Sequence, residues 1–346
     1  MDENFDTAPA AALLDACRRE MAKRIVGQGE MIDGLLMSLI AGGHILLEGV
    51  PGLAKTRAVK SLAEITGLVF KRIQFTPDLL PADLTGTLIW EQASGSFSVR
   101  RGPVFANVIL ADEINRAPAK VQSALLEAME ERQVTIGENS YPLPDPFFVL
   151  ATQNPIEHEG TYALPEAELD RFLLKLLIRY PDPSEELKIL DFAAPFSSSR
   201  AADRADENNE ADKARSAPLN TVLDTASLET LRAAADSVFI DEQIMSYIVS
   251  VVSASRPLRE KAARSGREGI YRYIAFGASP RASLALYRCS RIRALFEGRS
   301  FVTPEDVKAA AFPVLRHRLV LSYEAEADGL EPDSVISRIL TLVPMP

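Results

Sequence analysis

The chain has 346 residues, enough for two or three domains, and its 47% hydrophobic and 25% charged residues are typical of a globular protein. Its formal net charge of −10 argues against general nucleic-acid binding, because neutralising phosphates requires a basic surface. Two distant cysteines and three scattered histidines leave no zinc site to propose. No apolar run is long enough to span a membrane and the N-terminus lacks the basic residues of a secretory signal, so we expect a cytoplasmic protein.

The first elements of the chain are two predicted helices, at residues 10–22 and 30–41. We assign residues 1–23 to an N-terminal helix region. The second helix is rich in Leu, Ile and Met, and it either packs in the core or lines the base of a nucleotide. Val26 and Gly27, just before it, join the candidate nucleotide-binding residues.

A glycine-rich turn follows an apolar strand at residues 44–47 and precedes a helix at residues 57–65. The turn consists of Gly49, Val50, Pro51, Gly52, Leu53, Ala54, Lys55 and Thr56. Strand, glycine-rich turn, Lys-Thr and helix form the phosphate-binding arrangement known as Walker A, in which backbone N–H groups and the helix dipole surround a polyphosphate.

In this arrangement Lys55 reaches the outer phosphates and the Thr56 hydroxyl binds Mg²⁺. Ala54 departs from the pattern, which has glycine just before the lysine. A plain glycine-containing turn with a surface lysine is the alternative interpretation of this stretch.

Strands and helices then alternate, with two hairpins as interruptions. A strand at residues 69–75 precedes a hairpin near residues 86–100, and a second hairpin lies near residues 134–144. The first hairpin carries the only tryptophan, Trp90, which either packs on the domain or contacts a substrate. The alternation predicts an α/β fold with a mostly parallel sheet covered on both faces.

Polar side chains follow two of the apolar strands. The strand at residues 107–111 ends in Asp112 and Glu113, and the strand at residues 147–151 is followed closely by Asn154. Ligands bind at the carboxyl ends of the strands in open α/β sheets, so these side chains are expected at a ligand site.

The remaining chain divides into a last strand, a polar stretch and a helical region. A short acidic helix at residues 165–170 precedes Arg171 and the last strand at residues 172–178, which a helix at residues 185–192 follows. Residues 197–217 carry no large apolar side chain and are predicted to form a linker. Everything beyond is predicted to be helical, at residues 227–238, 241–254, 280–296, 303–319 and 334–342.

ATP hydrolysis needs a phosphate cradle, a metal ion, an activated water and positive charge on the transition state. Asp112 is the candidate for holding Mg²⁺, Glu113 for taking a proton from water, and Asn154 for orienting that water or sensing the γ-phosphate. Arg171 and Arg281 are candidates for placing positive charge on the phosphates. Each residue alone has a structural alternative, such as a helix cap, a turn or a salt bridge, and their joint order favours the functional interpretation.

Five motifs resemble those of the MoxR family of AAA+ ATPases, in which alanine before the loop lysine is accepted. The similarity runs closely from about residue 24 to about residue 180 and resumes near residue 280. The motifs are the loop from Gly49 to Thr56, Asp112-Glu113-Ile114-Asn115-Arg116-Ala117, Ala151-Thr152-Gln153-Asn154-Pro155, Leu169-Asp170-Arg171-Phe172 and Gly277-Ala278-Ser279-Pro280-Arg281-Ala282.

The resemblance implies a five-stranded AAA+ core followed by an all-α lid, which we place at residues 24–195 and 219–346, on either side of the polar linker at 196–218. The hairpins would be the helix-2 and pre-sensor-1 inserts of this clade. Arg171 would be an arginine finger acting on ATP in the adjacent subunit, and Arg281 the sensor-2 arginine. The resemblance further implies ATP and Mg²⁺ as cofactors, a ring hexamer, and a partner with a von Willebrand factor A domain.

Two stretches depart from the family pattern, namely the long polar linker at residues 197–217 and the length of residues 256–276. The predicted function is Mg²⁺-dependent ATP hydrolysis coupled to chaperone-like remodelling or maturation of a protein client. One alternative is the motor subunit of a metal chelatase, which shares both inserts. Another is a nucleotide-gated scaffold with low turnover, whereas a DNA-remodelling role is disfavoured by the charge.

Overall fold

The structure is a computed structural model that describes residues 7–50, 53, 55–155, 161–193, 218–256 and 268–346. The predicted linker at residues 197–217 lies outside the described residues, as do Pro51, Gly52 and Ala54 of the phosphate-binding turn. Described strands and helices are numbered below in chain order.

The strands are β1 (Ile45–Glu48), β2 (Phe70–Gln74), β3 (Gly86–Glu91), β4 (Ser96–Arg101), β5 (Val108–Asp112), β6 (Gln133–Ile136), β7 (Asn139–Pro142), β8 (Phe148–Gln153), β9 (Leu174–Leu177), β10 (Ile274–Phe276) and β11 (Val320–Leu321). The helices are α1 (Ala8–Ala22), α2 (Gly29–Ile40), α3 (Lys55–Thr66), α4 (Pro81–Thr85), α5 (Ala119–Glu131), α6 (Glu166–Leu169), α7 (Pro183–Ala193), α8 (Thr225–Ser237), α9 (Glu242–Ala254), α10 (Glu268–Tyr271), α11 (Pro280–Phe296), α12 (Pro304–Leu315), α13 (Tyr323–Ala327) and α14 (Pro332–Leu342).

Five parallel strands form the central sheet, in the order β2-β5-β8-β1-β9. The strands in its middle are almost wholly buried, as expected for parallel strands covered on both faces. This sheet confirms the predicted α/β core. All five strands run the same way, so the polar residues that follow β1, β5 and β8 meet at one edge.

Two hydrophobic clusters cover the faces of the sheet. One contains side chains of α1, α2 and α3 together with the helices beyond residue 218, so the N-terminal helix and the lid share a core with the sheet. Thr7 also donates a hydrogen bond of 2.7 Å to the Gly298 carbonyl of the lid. The other cluster packs α5 and the two hairpins on the opposite face.

Both predicted hairpins are present, as β3–β4 and β6–β7, and each is antiparallel. The Leu88 side chain of the first lies against Gly137 of the second, so the hairpins touch each other. Trp90 is 52% exposed and meets the Phe97 ring edge to face at a centroid distance of 5.0 Å. The tryptophan therefore does not pack into the core.

The region beyond residue 218 is a helical lid, as predicted, with two corrections. First, β10 and β11 form a short antiparallel pair in a lid that was expected to be all-α. The two strands are more than 40 residues apart in sequence, so no local pattern marks their pairing.

Among the described residues, no helix combines the length and apolar composition that crossing a bilayer requires.

The second correction is the end of α12, which stops at Leu315 rather than at residue 319. Beyond it Arg318 turns into the core, where its guanidinium donates hydrogen bonds to the carbonyl of Phe172 at 2.6 Å and to the Asp170 carboxylate at 2.7 Å. Ser279 at the start of α11 donates to the other Asp170 oxygen at 2.8 Å. These hydrogen bonds fasten the lid to the core.

Candidate nucleotide-binding site

A cavity of about 570 Å³ opens at the carboxyl edge of the sheet. Five of the residues assigned to phosphate, metal or water chemistry line it together. They are Lys55, Thr56, Asp112, Glu113 and Asn154. The volume lies in the range of ordinary small-ligand sites, and the position at the strand ends is the one that open α/β sheets use.

The phosphate-binding turn begins where β1 ends. A side chain at Gly49 would place its Cβ 2.8 Å from the Ile178 carbonyl oxygen, so only glycine lets the turn pass the end of β9. Val50 follows it, and Leu53 lines the cavity. The helix α3 begins at Lys55, which places a helix N-terminus with its free N–H groups at the cavity.

The Lys55 ammonium donates a hydrogen bond of 2.6 Å to the Gly49 carbonyl, across the base of the turn. Burial lowers the pKa of Lys55, and the carboxylates of Asp112, Glu113 and Glu48 oppose that shift. The lysine is thus a partly desolvated cation close to Asp112 and Glu113, the two carboxylates at the end of β5.

Thr152, buried in β8, positions both carboxylate residues. Its hydroxyl donates to Asp112 Oδ1 at 2.7 Å and accepts the Glu113 backbone N–H at 2.8 Å. Glu113 has a left-handed backbone, with φ 57° and ψ 51°. Such a conformation is unfavourable for a residue other than glycine and is typical of functional sites, where neighbouring contacts hold it.

Two residues of β2 contact the same carboxylates. Arg72 donates from Nε to Asp112 Oδ2 at 3.0 Å and pairs with that oxygen through Nη2 as well. Gln74 accepts from Arg72 at 3.0 Å and donates to Glu113 Oε2 at 2.8 Å. The positively charged Arg72 therefore binds Asp112 Oδ2, the carboxylate oxygen that Thr152 does not contact.

We expect Arg72→Gln to lower the Mg²⁺ concentration needed for tight nucleotide binding by up to about fivefold. The half-exposed guanidinium competes with Mg²⁺ for Asp112, and exposed ion pairs are worth up to about 1 kcal/mol. Binding of a fluorescent ADP across a Mg²⁺ titration measures the shift without relying on turnover. Lys71→Gln, one residue away and on the other side of β2, is the matched control, and a higher Mg²⁺ requirement in Arg72→Gln would rule out the competition.

The far side of the cavity is formed by the segment before α2. Val26 lines the cavity, and Gly27 has φ +65° with the Glu185 carboxylate so close that a Cβ would lie 2.4 Å from Oε1. Gln28 donates to the Arg179 carbonyl at 3.2 Å. The segment 26–28 is therefore held against the start of α7, and Ile189 in the middle of that helix adds an apolar side chain to the cavity wall.

The chemistry of these side chains fits Mg²⁺. Mg²⁺ prefers oxygen ligands and is commonly held by one or two carboxylates together with the phosphates of a substrate. Thr56 and Asp112 supply a hydroxyl and a carboxylate in the same cavity, and Asp112 already attracts a cation, Arg72. These are the two residues that would hold the metal ion.

Arg171 and Arg281 lie at the opposite edge of the sheet. Leu173 donates to the His44 carbonyl just before β1, so Arg171 lies near the amino ends of the strands. The loop with Lys55 follows the carboxyl end of β1, and four residues of strand span roughly 13 Å. The structure therefore does not bring either arginine to the cavity of its own chain.

The two arginines are instead brought to each other. Arg171 Nε lies 2.7 Å from Glu130 Oε2, and Arg281 pairs with the other oxygen of the same carboxylate. Desolvation raises the pKa of Glu130, but the hydrogen bond from Arg281 and the charges of both arginines outweigh it and lower the pKa. Two motifs more than 100 residues apart thus form one surface patch with two cations and one anion.

Sequence reasoning missed Arg72, Gln74, Thr152 and Arg318. The alternation of Arg72 and Gln74 on one side of β2 is a signal, because residues i and i+2 of a strand share a face. That signal becomes informative only once β2 is known to pair with β5, which places Gln74 opposite Asp112. Thr152 lies in the motif Ala151-Thr152-Gln153-Asn154-Pro155, in which the sequence pattern predicts a role only for Asn154.

Comparisons with known proteins agree with this geometry. Residues 44–174 match the ATPase family associated with various cellular activities (AAA), and residues 270–339 match the AAA lid domain. The chain is 46% identical to chaperone MoxR1 of Mycobacterium tuberculosis, over 94% of this chain and 81% of that protein. The chain belongs to the MoxR family of AAA+ ATPases.

Two further relatives support the membership. This MoxR-family chain is 33% identical to protein MoxR of Methylorubrum extorquens, over 95% of this chain and 94% of that protein. It also resembles the crystal structure of a candidate ATPase from Cytophaga hutchinsonii, with a TM-score of 0.85 and 44% identity over 99% of this chain and 97% of the other. The similarity to these two proteins therefore extends over nearly the whole length of each chain.

Proposed function

We propose that this MoxR-family protein hydrolyses ATP with Mg²⁺ and couples the hydrolysis to chaperone-like remodelling or maturation of a protein client. The observation that carries the proposal is the convergence of Lys55, Thr56, Asp112, Glu113 and Asn154 on one cavity at the carboxyl edge of the sheet. Phosphoryl transfer depends mainly on positioning and on electrostatic stabilisation, and this cavity supplies groups for both.

The roles within one chain follow from position and charge. The N–H groups at the start of α3 and the Lys55 ammonium bind the phosphates, and Thr56 and Asp112 hold Mg²⁺, which neutralises charge on them. Glu113 accepts a proton from the attacking water, and Asn154 orients that water. Thr152 keeps the two carboxylates in place through its hydroxyl.

The two remaining charges come from a neighbouring subunit in this proposal. Because Arg171 and Arg281 share Glu130 at the other edge of the sheet, we assign both to act on the ATP of an adjacent chain. When Arg171 and Arg281 separate from Glu130, their two guanidinium groups become available to bind a γ-phosphate. A ring, with a hexamer as the expected size, lets each patch meet the next cavity.

The protein partners are proposed from the family alone. A protein with a von Willebrand factor A domain is the expected partner, the client has no signature in the sequence, and the cytoplasm stays the predicted compartment. The chaperone name of the Mycobacterium tuberculosis relative favours remodelling over the motor of a metal chelatase. A nucleotide-gated scaffold would keep the binding groups and have low turnover, which a turnover assay with and without the partner decides.

We expect Lys55→Ala to weaken ATP binding by about tenfold to a hundredfold. The change removes a charge-assisted hydrogen bond to phosphate, worth roughly 1.5–3 kcal/mol. Isothermal titration calorimetry of the intact protein measures the affinity. Lys60→Ala, an exposed lysine of the same helix, is the matched control and should bind ATP normally. Equal affinities for the two variants would mean that this cavity is not the nucleotide site.

A further inference from the structure

A second cavity of about 570 Å³ lies between the core and the lid, near the amino edge of the sheet. Its core wall contains Arg132 and its lid wall contains Arg232, Arg288 and Arg291. Among the residues that line it, only Asp145 and Asp236 are acidic. Four positive and two negative charges thus surround a concave space in a chain whose net charge is −10.

Only part of this positive charge is neutralised by other described residues. Arg232 pairs with Glu229 at 2.7 Å, whereas Arg291 comes no closer than 4.0 Å to the largely exposed Asp236. Arg288 is exposed and makes no hydrogen bond or ion pair with any described residue.

Two of the four guanidinium groups also have buried donors without an acceptor. Arg232 Nε and Arg291 Nε are inaccessible to solvent and make no hydrogen bond within the described part of the chain. Buried polar groups in proteins are nearly always hydrogen-bonded, and leaving a charged donor unpaired is costly. The donors of Arg232 and Arg291 are therefore incompletely satisfied by the described part of the chain.

Arg132 is anchored and sets the shape of the core wall. It donates to the Phe147 carbonyl at 2.7 Å and to the Gly42 carbonyl at 2.6 Å. Burial lowers the pKa of Arg132; Asp145 opposes that shift and the positive charge of Arg232 adds to it. The repulsion between these two arginines, one from the core and one from the lid, falls when an anion lies between them.

We propose that this cavity binds a small phosphate-bearing anion of nucleotide size, at a site separate from the ATP cavity. Guanidinium groups match phosphate oxygens with paired N–H donors, and arginine is the preferred residue for that recognition. Tyr287 adds an aromatic face over which the Arg291 guanidinium already stacks at 4.5 Å. The volume of the cavity fits a molecule of that size.

Binding at this site stabilises the contact between lid and core. Arg132 belongs to the end of α5, whereas Arg288 and Arg291 lie on α11, the helix that also carries Arg281. An anion held by both walls therefore fixes α11 against the core. The site differs from the ATP cavity in every residue that lines it.

The test uses full-length protein carrying Lys55→Ala, so that binding in the ATP cavity is weakened, with inorganic pyrophosphate as the probe. Calorimetry should detect a saturable site whose affinity falls as salt rises. Adding Arg288→Gln and Arg291→Gln together should weaken the affinity by about a hundredfold, roughly tenfold for each lost charge-assisted hydrogen bond. Arg288→Gln alone removes only an exposed side chain, which keeps the test valid if the double variant misfolds.

Arg19→Gln is the matched control, because Arg19 is exposed on α1, outside the cavity, and carries the same charge. Its pyrophosphate affinity should be unchanged. The proposal fails if the Lys55→Ala protein binds no pyrophosphate, or if the cavity variants bind it as tightly as the control. It also fails if these variants lose only self-association in sedimentation, since a second copy of the chain would then be the occupant.

Discussion

Arg171→Ala is expected to reduce ATP turnover by roughly 10³- to 10⁵-fold, the range that an arginine finger supplies, while ATP affinity is unchanged. The reason is geometric, because Arg171 lies at the edge of the sheet opposite to Lys55 and cannot assist its own ATP. Turnover and calorimetric affinity, measured on the same preparation, separate the two effects. Arg19→Ala, an exposed arginine on α1, should leave both quantities unchanged.

Mixing two inactive variants decides whether Arg171 acts between subunits. Lys55→Ala chains keep the arginine patch and lack the phosphate-binding lysine. Arg171→Ala chains keep that lysine and lack one arginine of the patch. Mixed rings should therefore recover part of the lost turnover at the interfaces where an intact patch meets an intact cavity. If sedimentation shows mixed oligomers and turnover stays absent, Arg171 has no role across the interface.

Arg281 gives an independent check of the same patch. Arg281→Ala should also lower turnover and spare binding, since this arginine shares Glu130 with Arg171. Full turnover in both alanine variants would mean that the patch is only an ion-pair cluster between core and lid.

Glu113→Gln is expected to bind ATP with normal affinity and to hydrolyse it at least 100-fold more slowly. The amide keeps the shape of the side chain and the hydrogen-bonding position beside Gln74, but it cannot accept the proton of the attacking water, and general base catalysis contributes about 10²- to 10⁴-fold. Single-turnover hydrolysis and ATP binding measure the two properties separately.

The control for this variant is Glu127→Gln, which makes the same change on an exposed position of α5. It should hydrolyse ATP normally. Near-normal turnover in Glu113→Gln would remove this residue from the role of base. The slow variant also offers a way to find the client, because a protein held in the ATP-bound state should retain its partners during co-purification.

The core and the carboxyl-edge site could be predicted from local patterns. Apolar strands such as residues 107–111 are recognisable because a parallel strand is buried on both faces. Lys55, Asp112, Glu113 and Asn154 directly follow such strands or begin the next helix. The carboxyl ends of parallel strands lie at the same edge of a sheet. The chain order alone therefore predicts that these four side chains meet in one cavity.

Other features depended on contacts between distant segments. The pairing of β10 with β11 and the docking of Arg318 on Asp170 join residues more than 40 positions apart, so no local periodicity marks them. The same holds for Arg72, whose position beside Asp112 required the order of the strands.

The tertiary structure also decided on which edge each charged motif lies. Arg171 and Arg281 were identifiable as candidate phosphate ligands from their motifs, yet their side chains meet at Glu130 on the far side of the sheet. A motif specifies which functional groups a segment carries, because a motif is defined by the identity of its side chains. The strand direction and the packing of the lid determine which groups face the same space, and those depend on the burial of the whole core.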